Sequence, residues 1–223
     1  ARHKPQFDVL FNCKFPPEDA IDAEGWQTLI TEEELMLAMQ GGTHFGEHRM
    51  GVDPADAGAN ETAIIDRSAG YAEILFHQSG LDQMQVVGKV MNTAEEYKPD
   101  RVYIDRVGVG AGTYSRLMEL RALEERKKLM WALTGVHAGQ HVDDKRYFNK
   151  RAEMYWRMRE WIKSGGKLSK DKLWLQIANV KFRTVESQGT IQIMSKEEMR
   201  KRGIVSPDVA DALSLTFYDP APL

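Results

Sequence analysis

The sequence predicts an α/β domain in which a mixed β-sheet is flanked by helices. Three patterns point there: three β-rich stretches joined by short turns, two helix–strand alternations after them, and an apolar helix near the C-terminus. The first three strands run over Arg49 to Pro54, Thr62 to Arg67 and Tyr71 to His77, with turns at Ala57-Gly58-Ala59-Asn60 and Ser68-Ala69-Gly70. Connections this short make an antiparallel meander. A helix over Leu81 to Tyr97, a strand over Arg101 to Asp105, a helix from Thr113 to about Lys127 and a strand over Leu129 to Val136 follow. Strands separated by helices pair in parallel, so the sheet is mixed.

The remaining elements have local signatures. Asn149 to Ser164 places Met154, Met158, Trp161 and Ile162 on one helical face and stops at Gly165-Gly166, which reads as a core stripe. Phe182 to Val185 and Thr190 to Met194 flank Glu186-Ser187-Gln188-Gly189 as a hairpin, and Ser195 with Glu198 forms a capping box for a short basic helix. Ser206 as N-cap and Pro207 at the first helical position start a last helix running to about Tyr218. Before residue 48 the chain reads differently. Phe15-Pro16-Pro17-Glu18-Asp19 is punctuation, and Thr31 with Glu34 caps a short helix that ends at Gly41-Gly42. Residues 1–47 are therefore expected to be a linker or appendage, and 48–223 the main domain.

A chain of 223 residues with 42% hydrophobic content can bury a sizeable core. No apolar run approaches the ~20 residues of a membrane span, so a soluble protein with no membrane partner is expected. A single cysteine, Cys13, excludes an intrachain disulfide and a cysteine-built zinc site. The net charge of −3 hides an uneven distribution: residues 145–202 hold 16 Lys and Arg against 6 Asp and Glu, leaving 14 against 27 elsewhere. Two ordinary solvated faces would give this, and so would a phosphate-binding surface beside an acidic centre.

The acidic half contains the candidate chemistry. Asp53 ends one strand, Asp105 ends another, and Asp208 and Asp211 lie in the last helix. A carboxylate at the end of an apolar strand sits at the edge of a core, where it needs a neutralising partner. Hard divalent cations prefer such oxygens, and a pair of ions ~3.5–4 Å apart can clamp both oxygens of a phosphoryl displacement. A turn cap or an arginine such as Arg106 could also satisfy any one of them. At i, i+3 Asp208 and Asp211 share a helix face. Asp208 gains from the helix dipole without a metal, whereas Asp211 lies among Ala210, Ala212 and Leu213 and is the stronger candidate.

Four motifs in order are similar to the nuclease domain of bacteriophage large terminases: Gly51-Val52-Asp53-Pro54-Ala55 with Glu61-Thr62; Tyr103-Ile104-Asp105 followed by Gly108-Val109-Gly110-Ala111-Gly112; Asn149 to Trp156; and Ser206-Pro207-Asp208-Val209-Ala210-Asp211-Ala212-Leu213. The resemblance runs from about Met50 to Tyr218. It implies a ribonuclease H-like fold and a DNA endonuclease using Mg²⁺ or Mn²⁺, as two ions, to cut concatemeric viral DNA during genome packaging. It assigns metal binding and catalysis to Asp53, Asp105 and a last-helix carboxylate, Asp211 or Asp208, with Asp53 bridging the ions. Double-stranded DNA, the terminase ATPase domain, the small terminase subunit and the portal of the procapsid are the implied partners, and the host cytoplasm the implied location. Family members often carry a histidine and paired aspartates where this chain has Ser206-Pro207-Asp208. No G-x-x-x-x-G-K-[ST] loop occurs, so the ATPase half is expected to be missing and residues 1–47 to be the tail of it.

Other readings are weaker. Gly108-Val109-Gly110-Ala111-Gly112 would need glycine where Thr113 stands to match a dinucleotide fingerprint, so a turn that packs the helix closely is expected instead. A non-catalytic nucleic-acid module could use the basic region with Trp156, Trp161 and Trp174, and another ribonuclease H-like nuclease such as a junction resolvase would share the carboxylates. His137 and His141 lack a zinc-protease pattern, and Asp53-Pro54-Ala55-Asp56-Ala57-Gly58 lacks the calcium-loop ligands. Lys150 and Arg151 are the expected phosphate contacts to the duplex.

Overall fold

The computed structural model of the chain describes residues 21–58, 60–124, 131–185 and 189–219. Cys13, the proline-rich punctuation at 15–19, the first residues of the strand expected from 129, and positions 186–188 of the hairpin turn lie outside them.

Six strands form the main sheet: β2 (Arg49–Asp53), β3 (Glu61–Arg67), β4 (Tyr71–Ser79), β5 (Arg101–Asp105), β6 (Ala132–Val136) and the two-residue β7 (Lys167–Leu168), in spatial order β6-β5-β2-β3-β4-β7. β2, β3 and β4 pair antiparallel, while β2, β5 and β6 pair parallel, as the turn lengths and helical crossovers predict. Met50 to Val52 and Val102 to Ile104 are buried without alternation. Helices cover both faces of these central strands, so both sets of side chains are apolar.

On one face Met50, Val52, Ile64, Val102 and Ile104 meet helix α2 (Gln83–Tyr97) through Val86, Val87, Val90 and Ala94, and helix α3 (Val109–Glu124) through Leu117. Asp82 and Gln85 close a capping box at the start of α2. The other face is covered by α4 (Lys150–Lys163), a 3₁₀ helix (Lys172–Asn179) and α6 (Asp208–Leu215). There Ala63, Ile65 and Ala72 pack with Tyr155, Met158, Ile162, Trp174, Ile177, Val209 and Leu213. The stripe of α4 is thus core, with Trp161 half-buried and donating from Nε1 to the Ala69 carbonyl at 2.7 Å.

A second, three-stranded sheet joins β1 (Gln27–Thr28), β8 (Lys181–Val185) and β9 (Thr190–Ile193), and the short basic helix α5 (Lys196–Lys201) follows it. The stretch before residue 48 was expected to be a linker, but its described part is tied to the domain. Gln27 and Thr28 pair with Phe182 and Lys181, and Leu29, Ile30 and Leu35 are buried in the core. Leu35 belongs to helix α1 (Glu32–Ala38), whose Thr31–Glu34 capping box forms as its sequence implies. Apolar residues in a short segment lower the free energy most by burial, and this segment has a core within reach.

Two helix starts differ from expectation. α3 begins at Val109 rather than Thr113, so the glycine-rich run is its first turn. A Cβ at Gly110 would lie 1.8 Å from the Asp105 carbonyl oxygen, which explains why glycine stands where the helix meets the end of β5. α6 begins at Asp208 without a side-chain cap, because the Ser206 hydroxyl donates to the Asp208 carboxylate (2.6 Å) instead of accepting from the backbone. The helix also ends at Leu215 rather than Tyr218, passing into a turn whose Thr216 is held by the buried Arg67 guanidinium at 2.8 and 2.9 Å.

Gly51 fixes where α6 crosses the sheet. A Cβ there would stand 2.0 Å from the Ala212 carbonyl oxygen, so only glycine permits this approach. Gly51→Ala should push α6 off β2 and cost about 1–3 kcal/mol, as overpacking does. A thermal melt checks it, and an unchanged melting temperature would refute the close-contact role.

Candidate metal centre

Asp53 and Asp105 end neighbouring parallel strands, and α6 crosses the sheet next to Gly51, so Asp211 arrives beside them. The three carboxylates line one open cleft together with Val107, His137, Arg151, Ser195 and Lys196. Asp53 and Asp211 are buried and Asp105 is half-buried.

The cleft is balanced by cations. The Lys196 ammonium lies 3.1 Å from Asp53 Oδ2 and 3.0 Å from Asp211 Oδ2, so one positive charge stands between two carboxylates. Arg151 donates from Nη2 to Asp211 Oδ1 (3.0 Å) and from Nη1 to the Met194 carbonyl (2.6 Å), and the Tyr155 hydroxyl donates to Asp211 Oδ1 at 2.6 Å. Asp105 accepts from the Val107 amide at 3.0 Å. Arg106, adjacent in sequence, is exposed.

The same burial has opposite results at the two ends of this network. Burial, then the nearby charges of Asp211, Asp105 and Asp208, push the Asp53 carboxyl up to about 7 against the pull of Lys196. Burial opposes ionisation of Asp211 too, but Lys196, Arg151 and the Tyr155 hydroxyl outweigh it and hold that carboxyl at about 2. Asp105 is raised by burial, partly offset by the Val107 amide. Lys196 is held protonated by Asp211 and Asp53 although burial works the other way.

Of the residues singled out from the sequence, Asp53, Asp105 and Asp211 are brought together. Asp208 is not in the cleft. It is buried, accepts from Ser206 and from the Glu61 amide (3.2 Å), and groups with Glu61 and His77. Lys150 and Arg151, expected on the duplex, are both committed internally. Lys150 is 7% exposed, with its ammonium 2.8 Å from Glu153 Oε2 and 2.8 Å from the Asp219 carbonyl. Lysine at the first position of α4 has a long apolar stem that burial favours, and its charge then finds a partner one turn away at Glu153. Arg151 points into the cleft but is spent on Asp211. His137 lines the cleft, whereas His141 is exposed and is not among the cleft residues. Lys196 and Tyr155 are the site residues that pattern reading passed over. Lys196 was one basic residue in a basic region, and Tyr155 one aromatic on a core face.

The donor set fits a hard divalent ion, being all carboxylate oxygen, with the Lys196 ammonium already standing between two of the groups. Mixed-sheet topology and strand-end carboxylates facing a helix define the class as an α/β fold with an acidic centre at the carboxyl ends of its parallel strands. Among solved structures, the nuclease domain of the large terminase subunit of bacterial virus Sf6 is similar at 22% identity and a TM-score of 0.73, covering 87% of this chain and 100% of that one. A single-substitution variant of that domain with manganese matches at 20% identity and a TM-score of 0.72, with the same coverage. The large terminase nuclease of thermophilic phage G20c with bound magnesium matches at 13% identity and a TM-score of 0.57, covering 88% and 98%. No family model and no curated protein matches the sequence. The chain therefore has the fold of the phage large terminase nuclease domain, the ribonuclease H-like mixed sheet expected from its motifs.

The two aspartates should respond oppositely to neutralisation without metal. Asp53, with its folded pKa raised, stabilises the fold fully only below its ordinary value of 3.8, and this contribution is lost as pH rises through about 7. Asp211, with its pKa depressed, contributes stability that is present above 3.8 and lost as pH falls through about 2. Asp53→Asn should raise the melting temperature at pH ~8 by a few degrees, a gain that fades toward pH ~4, while Asp211→Asn should lower it by about 5 °C or more. Thermal melts in chelator across that range check both, and shifts of the same sign would contradict the assignment.

Proposed function

We propose that this chain is a divalent-metal-dependent DNA endonuclease that cuts concatemeric viral DNA during genome packaging. One observation carries the reading: Asp53, Asp105 and Asp211, from two strand ends and a facing helix, converge on one open cleft with a lysine ammonium between two of them. The shared fold supports it, and so do the magnesium and manganese bound by relatives of that fold.

In this reading Asp53, Asp105 and Asp211 would hold Mg²⁺ or Mn²⁺, two ions in all. Such ions supply a Lewis acid for the scissile phosphate and lower the pKa of the attacking water. Lys196 keeps Asp53 and Asp211 close before an ion enters and then faces the phosphate as a second positive charge. Arg151 and Tyr155 hold the Asp211 carboxylate in one orientation. Asp208 acts outside the cleft, fixing the start of α6 through Glu61 and Ser206. Exposed cations next in sequence to cleft residues, Arg106 after Asp105 and Arg200 one turn after Lys196, meet the duplex through its phosphates, which gives salt-sensitive binding with little reading of sequence. Packaging partners follow from the same reading: an ATPase domain, a small terminase subunit and a portal, in the host cytoplasm.

The chain should nick and linearise plasmid DNA with Mg²⁺ or Mn²⁺ and stop on chelation. Asp53→Asn should lose at least about a hundredfold in rate, the scale of removing one charge-stabilising group from an active site. Asp208→Asn should keep most activity. Full cutting by Asp53→Asn, or cutting in excess chelator, would refute the proposal.

A further inference from the structure

A second group of metal-competent side chains lies away from the acidic cleft. His44 and His48 come from the segment ahead of β2, Asp66 from β3, and one ligand atom from each lies within 4.8 Å of the others. Asp66 pairs with Met50 in the β2–β3 ladder and Asp53 with Ala63, so Asp66 sits three residues, ~10 Å, along the strands from the cleft. Because side chains alternate, Asp66 also faces the opposite side of the sheet from Asp53. It belongs to the side of Met50, Val52 and Ile64.

The local geometry asks for a cation. Asp66 and Glu73 are directly opposed partners on β3 and β4, and like charges so placed repel. Asp66 is 1% exposed. Its Oδ2 meets His48 Nδ1 at 2.7 Å and His44 Nδ1 at 3.6 Å, while its buried Oδ1 has no hydrogen-bond partner. A carboxylate in that setting is costly. His44 meanwhile places its other nitrogen, Nε2, 2.9 Å from Glu73 Oε1. A carboxylate on the distal N–H of a histidine is how metal-ligating imidazoles are oriented, since it fixes the tautomer that turns Nδ1 as a lone pair toward the metal. The His44 ring is further held by Tyr71, edge to face at 4.7 Å between centroids, while Ser68 Oγ, now 3.1 Å from Nδ1, gives up that lone pair when a metal binds.

We propose that His44 Nδ1, His48 Nδ1 and Asp66 form a binding site for a borderline transition cation of the Zn²⁺ class, with Glu73 orienting His44 and a water completing the shell. Two imidazoles and a carboxylate suit zinc rather than the oxygen-only preference of Mg²⁺. At bond lengths of about 2.0–2.2 Å the ion takes the place of the His48–Asp66 hydrogen bond, so His48 Nδ1 and Asp66 Oδ2 move apart from 2.7 Å while His44 Nδ1 stays near its present distance from Asp66. The ion ties the segment before β2 to the β3–β4 ladder. It is a structural clamp, independent of the nuclease reading.

The test uses Zn²⁺ with the whole chain. Equilibrium dialysis of the Asp53→Asn variant, in which the acidic cleft is crippled, should retain one tightly held zinc, and adding His48→Ala should weaken it at least about tenfold. In the wild-type chain, zinc should shift the ring-nitrogen resonances of His44 and His48, a readout that needs no substitution. Zinc that moves only His77, His137 or His141, or that is lost entirely with Asp53→Asn, would overturn the site.

Discussion

The passage of α6 over β2 at Gly51 governs the rest of the molecule. With 2.0 Å between the position of a Cβ and the Ala212 carbonyl oxygen, the helix backbone lies directly on the strand. That contact delivers Asp211 to the carboxyl end of β2, next to Asp53, and the parallel neighbour β5 brings Asp105. Arg67, reaching from β3 to Thr216, pins the far end of the same helix, so α6 is fixed at both ends. A site built from strand ends and a clamped helix is rigid before any ligand arrives, which is what a metal centre needs to impose its geometry.

Electrostatics then divides the three carboxylates into different roles. Asp211 is saturated with positive neighbours and stays charged, so it anchors Lys196 and Arg151. Asp53 has only part of Lys196 and feels the charges of Asp211, Asp105 and, from outside the cleft, Asp208, and its charged form is the one the fold strains against. On the proposed reading a divalent ion would relieve that strain. Without Asp211, Arg151 and Lys196 would each lose a carboxylate partner, which makes this carboxylate a structural group.

Much of the fold was legible in the sequence because it rests on local signals. The short turns between the first three strands, the capping residues Thr31 and Ser195, and the turn glycines fixed strands and helices whose ends moved by a few residues at most. What could not be read depends on tertiary partners. Ser206 has an N-cap's chemistry but gives its hydroxyl to Asp208, and Leu29 and Ile30 looked like linker until a core accepted them. In the site, strand-end aspartates stand out because an apolar run makes them conspicuous. Asp208 and Asp211 share a helix face, yet only one of them reaches the cleft, because α6 begins beyond its edge and Glu61 takes the first carboxylate. Lys150 and Lys196 are indistinguishable as basic residues. One is buried against Glu153 and the other stands in the cleft, a difference set by which helix face the core covers.

The central claim is that Asp53, Asp105 and Asp211 form one cation site that excludes Asp208. Calorimetric titration of Mn²⁺ into the chain and its single Asp→Asn variants tests it most directly. Asp53→Asn, Asp105→Asn and Asp211→Asn should each weaken binding by about tenfold or more while Asp208→Asn stays within about twofold of the parent, the contrast expected between a ligand and a residue outside the shell. Binding lost with Asp208→Asn but kept with Asp211→Asn would contradict the account.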